Sequence, residues 1–218
     1  METREDNLMK KSIFASALLV CLFAFCASNA QAELIIINIT ATVDIVNDFG
    51  NYLEGKIHVG DTITGSYTYE STTWDSNPSS TIGDYEHYSA PAGISLSVGG
   101  FNFKTDPAAV NFLVEITNDY PPNDDYFLLS SNNLPLSNGT LVESISWWLS
   151  DSTGAALLSD ALLVTAPVLS RWQINQLDMG YSGAYLVRSQ VTSAILIPEP
   201  CTMLLLSLGT ILLIKRYS

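Results

Sequence analysis

Val59-Gly60-Asp61-Thr62-Ile63-Thr64-Gly65-Ser66-Tyr67-Thr68-Tyr69 alternates from Thr62 onward, with Ile63, Gly65, Tyr67 and Tyr69 interleaved with threonines and a serine. Successive side chains of an extended chain point to opposite faces. One face of this segment is therefore mainly apolar and the other hydroxylic, as a half-buried antiparallel strand requires. Gly60-Asp61 supplies a turn at its start. The same reading carried outward gives short runs of β-branched and aromatic residues bounded by Gly, Asn, Asp, Ser and Pro, and no sustained 3.6-residue apolar period. Strands are expected over 34–46, 52–59, 62–69, 94–104, 110–117, 126–130, 141–149, 157–164, 171–177 and 184–195. Loops at near-hairpin spacing favour an all-β, antiparallel β-sandwich or jelly roll over a parallel α/β sheet. The polar stretch Glu70 to Tyr88 reads as a long surface loop.

Both ends differ from this body. Lys10 and Lys11 precede the apolar run Ile13 to Ala27, and Ala30-Gln31-Ala32 gives a small-x-small pattern before Glu33. That order is the order of a secretory signal peptide cut by signal peptidase after Ala32. Glu2, Glu5 and Asp6 do not suit a positive leader, which points to a translation start at Met9. At the other end Ile197-Pro198-Glu199-Pro200 breaks a strand, since neither proline can donate to a β-ladder. Cys201 to Ile214 then carries no charge, and Lys215-Arg216 follows. Fourteen residues of helix span about 21 Å against a bilayer core of about 30 Å, so the segment reads as a temporary transmembrane anchor held by its basic end. The expected organisation is a signal helix over 1–32, a β ectodomain over 33–196 and a C-terminal sorting segment with a transmembrane helix over 197–218.

The formal charge of the 218-residue chain is −13. The body keeps only Lys56, Lys104, Arg171 and Arg188 as fixed cations, a surface that repels phosphate backbones and excludes nucleic acid as a partner. All three cysteines, Cys21, Cys26 and Cys201, fall in the terminal segments. The exported body thus has neither disulfides nor thiolate chemistry, and about 165 residues suffice for a core stabilised by burial alone.

The tripartite end, with Pro198, Glu199 and Pro200, an apolar helix and a basic tail, resembles the PEP-CTERM sorting signal of Gram-negative, polysaccharide-producing bacteria. Val59 to Tyr69 is similar to the Gly-Asp-x-hydrophobic-x-Gly-x-aromatic-x-Tyr segment of such proteins, and Leu149 to Gly154 with Ser159 to Leu162 is similar to their Asp-x-x-Gly turn and return strand. The resemblance implies processing near the Pro-Glu-Pro element by an exosortase-like membrane enzyme, followed by residence at the cell surface or in an extracellular polysaccharide matrix. It implies no catalytic residue.

Three constellations in the body are candidates for chemistry. Asp119, Asn123, Asp124 and Asp125 around Pro121-Pro122, and Asp75, Asp84 and Glu86 farther up the chain, offer oxygens of the kind calcium takes, without EF-hand spacing. His58 and His87 are the only histidines; they read as surface imidazoles, with no Gly-x-Ser-x-Gly elbow to suggest a triad. Trp147 and Trp148 are adjacent strand residues and must point to opposite faces, so one can pack in a core while the other offers a flat ring to a sugar. The expected function is that of an exported, non-enzymatic surface or matrix protein; the alternative is a lectin-like carbohydrate-binding module.

Overall fold

The computed structural model describes residues 34–120 and 123–198, apart from the side chain of Tyr120. The signal helix, the transmembrane helix, Ala30, Ala32, Glu199 and Pro200 lie outside the described residues.

The described chain is all-β and antiparallel. Its strands are β1 Leu34–Asp48, β2 Thr62–Glu70, β3 Ile82–His87, β4 Gly93–Val98, β5 Phe101–Lys104, β6 Phe112–Tyr120, β7 Asn123–Ser130, β8 Ser144–Asp151, β9 Ile174–Tyr181 and β10 Tyr185–Leu196. A two-sheet sandwich or jelly roll is the sequence expectation; here all ten strands join one ladder in the order β3-β6-β7-β8-β9-β10-β1-β2-β4-β5. The ladder curls on itself. From β2 to β7 is five strand steps of about 4.8 Å, about 24 Å if the sheet were flat. Yet the Tyr126 hydroxyl in β7 donates to the Tyr67 hydroxyl in β2 across 3.5 Å.

Alternation sets which side faces in. In β1 Ile35, Ile37, Ile39, Ala41 and Val43 are buried, and in β2 Ile63, Tyr67 and Tyr69 are. The inner face closes around large aromatic rings, with Trp147, Tyr67, Tyr69, Tyr126, Phe101, Phe103 and Phe112 fully buried. Tyr67 and Tyr69 are stacked, and Trp147 meets both Tyr67 and Tyr126 edge to face. Such contacts add to the burial of 150–250 Å² per ring by roughly 0.5–1.5 kcal/mol each. Gly65 serves a different purpose from its neighbours in β2: a Cβ there would lie 2.0 Å from the Ser95 carbonyl oxygen. Only glycine permits that approach between β2 and β4.

Two expected strands are not strands. Over 52–59 the chain makes turns, because the Asp48 carboxylate accepts the Tyr52 and Leu53 N–H groups and Asn51, Glu54 and Gly55 have positive φ. Over 157–164 it runs irregularly across the core, where Leu163 O accepts the Tyr69 hydroxyl and Asp160 O accepts that of Tyr85. Conversely, β3 lies inside the expected surface loop, pairing Asp84 with Glu115 and His87 with Phe112. Expected strand 94–104 is a hairpin of β4 and β5 turned at Gly99-Gly100, both at positive φ. The outer flank of β3 is occupied by its own chain, with Ser76 N donating to Asp84 O and Asp84 N to the Asp75 carboxylate. A covered edge of this kind resists pairing with other sheets.

Candidate functional site on the outer face of the sheet

The outer faces of the two halves of the ladder differ in chemistry. On β1, β2 and β4 the outward cross-strand pairs are Thr40 with Thr64, Thr64 with Ser97, and Ser66 with Ser95, a hydroxyl-covered surface. On the other half, one outward row runs Asp84, Glu115, Phe127, Trp148 and Gln176 across five strands, set by register alone.

Trp147 and Trp148 part ways as adjacent strand residues must. Trp147 is completely buried, and its indole N–H donates to Asn175 Oδ1 at 2.9 Å. It therefore cannot contact a ligand in this fold, and of the two tryptophans only Trp148, 37 % exposed, is presented to solvent. Trp147 is in phase with Ile145 and Leu149, which are also fully buried, so the three together carried the signal for which ring goes in. Trp148 forms the wall of a hollow of about 270 Å³ with Glu115, Asp125, Phe127, Ser146 and Gln176.

The carboxylates here are held in unusual surroundings. Glu115 is pushed above the usual carboxylate range, first by burial and then by the negative charges of Asp84 and Asp125. Oδ1 of Asp84 and Oδ1 of Asp125 are buried with no hydrogen-bond partner among the described residues, while Asp84 Oδ2 accepts from Asn77 Nδ2. Buried acceptors left without a donor cost free energy.

The calcium candidates are not brought together. Asp124 is completely buried and already engaged, with Oδ1 accepting the Asp119 N–H and Oδ2 the Leu157 N–H. Asp125, the next residue of β7, faces outward toward Glu115, and Asp119 is exposed at positive φ. Among the described residues no group of three or more His, Cys, Asp and Glu is placed to hold a metal ion. In the second cluster Asp75 caps its own loop, accepting the Asn77 and Asp84 N–H groups.

His58 is exposed as expected and His87 is not. His87 is buried against Tyr69 and Phe112, its Nδ1 at 3.1 Å from the Tyr85 carbonyl and its Nε2 facing the Glu70 N–H and the Thr73 hydroxyl. A backbone carbonyl at Nδ1 and a backbone donor at Nε2 fix the neutral tautomer protonated at Nδ1. Burial lowers its pKa from the ordinary value. Its signal in the sequence was alternation with Gly83 and Tyr85, masked because Gly83 has no side chain and Asp84 and Glu86 between them are acidic.

A second and larger hollow, of about 490 Å³, adjoins the first at Ser146. It lies where the turn after β9 meets the end of β1, and Phe49, 80 % exposed, stands at its far side. Between Phe49 and Trp148 the outward side chains of β8 and β9 are small or polar: Ser144 opposite Gly180, and Ser146 opposite Asp178. Asp178 is held by Arg188, which donates from Nε and Nη2 at 3.0 and 2.9 Å.

Comparison with protein-family models, with curated proteins and with solved structures finds no match.

Proposed function

We propose that this chain is an exported, non-enzymatic protein of the cell surface or extracellular polysaccharide matrix, sorted as a PEP-CTERM-type precursor. Signal peptidase removes the leader after Ala32, the C-terminal helix holds the precursor in the membrane, and an exosortase-like enzyme processes it near Pro198-Glu199-Pro200. The ectodomain between them is a curled sheet whose halves pack face to face in sandwich or jelly-roll manner. The observation that carries the reading is the sequence order of leader, acidic cysteine-free body, Pro-Glu-Pro, apolar run and basic end. It is supported at the margin of the body, where Ile197 N donates to Ile36 O and Pro198 has no N–H with which to continue the ladder. The sorting element thus begins where sheet pairing ends.

Intact mass of the protein recovered from its native host's surface and medium tests this reading. A species lacking both residues 1–32 and the segment after Pro200 is expected. A species that still carries Lys215-Arg216 would replace it with a plain tail-anchored ectodomain.

Trp148 favours a second reading, that the body itself holds carbohydrate. A partly exposed indole over a hollow with carboxylates and an amide has the two things a sugar needs, an apolar plate for the ring face and acceptors for its hydroxyls. Retention on immobilised polysaccharide, lost in Trp148→Ala, is the expected result; retention unchanged by that substitution would remove Trp148 from the reading.

A further inference from the structure

Trp148 and Phe49 stand at opposite ends of two hollows that share Ser146. From the Trp148 row to Phe49 is about six residues along the strands, about 20 Å, and three strands across, about 14 Å. The floor between is low because Ser144, Ser146 and Gly180 carry almost no side chain there. Two exposed rings that far apart over a low floor suit a ligand that is itself extended and repeats flat apolar faces. A sugar chain has that form.

Charge narrows the class. At the Trp148 end, Glu115 and Asp125 line the same hollow as the indole, and Asp84 stands behind them, opposite Glu115 in the β3–β6 pair. Among the described residues neither hollow is lined by a lysine or arginine, and Asp178, which lines the larger one, is paired with Arg188. Such a groove repels uronate chains and attracts cationic ones. An ammonium group beside Trp148 would meet the carboxylates and the face of the indole together, and both interactions favour it.

We propose that the two hollows form one groove whose ligand is an extended polysaccharide carrying free amino groups, with the rings stacked on Trp148 and Phe49 and an ammonium seated between Glu115 and Asp125. This rests on the carbohydrate-holding reading above and adds the length and the charge of the chain.

Titration calorimetry of the full chain in detergent micelles tests it. The probes are a six-sugar glucosamine chain, its fully N-acetylated counterpart, a two-sugar glucosamine chain and spermine. The six-sugar amino chain is expected to bind tighter than the N-acetylated one by about tenfold or more, the scale of one close charge pair. The short chain, unable to reach both rings, should be weaker by a similar factor. Glu115→Gln with Asp125→Asn should erase the preference for amino groups and leave the N-acetylated chain bound, whereas Trp148→Ala and Phe49→Ala should each weaken both long chains. Equal affinity for the two long chains would overturn the amino selectivity and leave carbohydrate binding standing. Binding of neither would remove both. Binding of the amino chain that spermine matches and that neither aromatic substitution changes would be attraction to an acidic protein alone, and would overturn the groove.

Discussion

Tyr67 in β2 meets Trp147 in β8 edge to face, with ring centroids 5.7 Å apart and planes inclined at 65°. Eighty positions separate the two in sequence, and the contact exists only because the ladder curls. It is the point at which the two halves of the sheet are held against each other, and the hydroxyls of Tyr67 and Tyr126 are pushed well above their ordinary pKa by burial in the same place. Trp147→Ala should destabilise the fold by about 3–5 kcal/mol, the range for deleting a large buried ring. Trp148→Ala, one residue on, should cost under about 1 kcal/mol, the scale of a cross-strand pair on a half-exposed face. Urea unfolding of the two variants side by side checks the contrast.

Asp124 joins three segments through one side chain, since the N–H groups of Asp119 and Leu157 both end on its carboxylate. Asp124→Asn keeps the shape but turns one acceptor into a donor facing a donor. The expected loss is about 1–3 kcal/mol, the cost of one unsatisfied buried group. A calcium titration of the unmodified protein should leave the unfolding midpoint where it was, because this carboxylate is already used.

Glu115 lies directly opposite Asp84 in the β3–β6 pair. Like charges facing each other across strands destabilise by roughly 0.2–1 kcal/mol. Glu115→Gln should therefore raise stability at pH 7 by about that amount. The sign with pH follows from the raised carboxyl: the folded state favours the protonated form, so the gain should shrink as pH falls toward the ordinary carboxylate range. Thermal midpoints at pH 7 and pH 4 would show it, and a loss of stability at pH 7 would contradict it.

His87 gives a pH dependence of the opposite direction. Its pKa is lowered from 6.5, chiefly by burial, so the unfolded chain takes up the proton first. Stability is fully present above about pH 6.5 and is lost as pH falls from there toward the lowered value. His87→Gln, which can still accept from the Glu70 N–H, should flatten the dependence of the urea midpoint between pH 7.5 and pH 5. An unchanged slope would mean that another group titrates there.

How much of this was legible in the sequence depends on the segment. The strands β1, β2 and β10 could be read because Ile37, Ile39, Ala41 and Val43 alternate with Asn38, Thr40 and Thr42, Ile63, Tyr67 and Tyr69 are in phase among threonines and a serine, and Val187 and Val191 are in phase with Arg188 and Gln190 between them. Strand β3 could not, since of its inward residues Gly83 has no side chain and His87 is polar, which leaves Tyr85 as a single apolar ring, and the residues between them, Asp84 and Glu86, are acidic. The false strand over 52–59 has the right residues, Tyr52, Leu53 and Ile57, but the Asp48 carboxylate draws the chain into a turn before they can pair. The false strand over 157–164 is apolar because it covers the core, and coverage needs no ladder.

For the candidate site, Trp148 could be named from sequence and its surroundings could not. Glu115, Phe127, Ser146 and Gln176 reach it from β6, β7, β8 and β9, and they meet only through cross-strand register. What the sequence by itself determined were the properties a local window contains: the strand period, the acidic and cysteine-free body, and the order of residues at the two ends. Tertiary structure alone decided that the ladder is single and curled, that Asp124 and His87 are buried while Trp148 and Phe49 are exposed, and that the hollows beside those two rings meet at Ser146. The physical reason is that alternation divides a strand into two faces, whereas which face is inward, and what lies opposite it, is set by pairing between residues far apart in the chain.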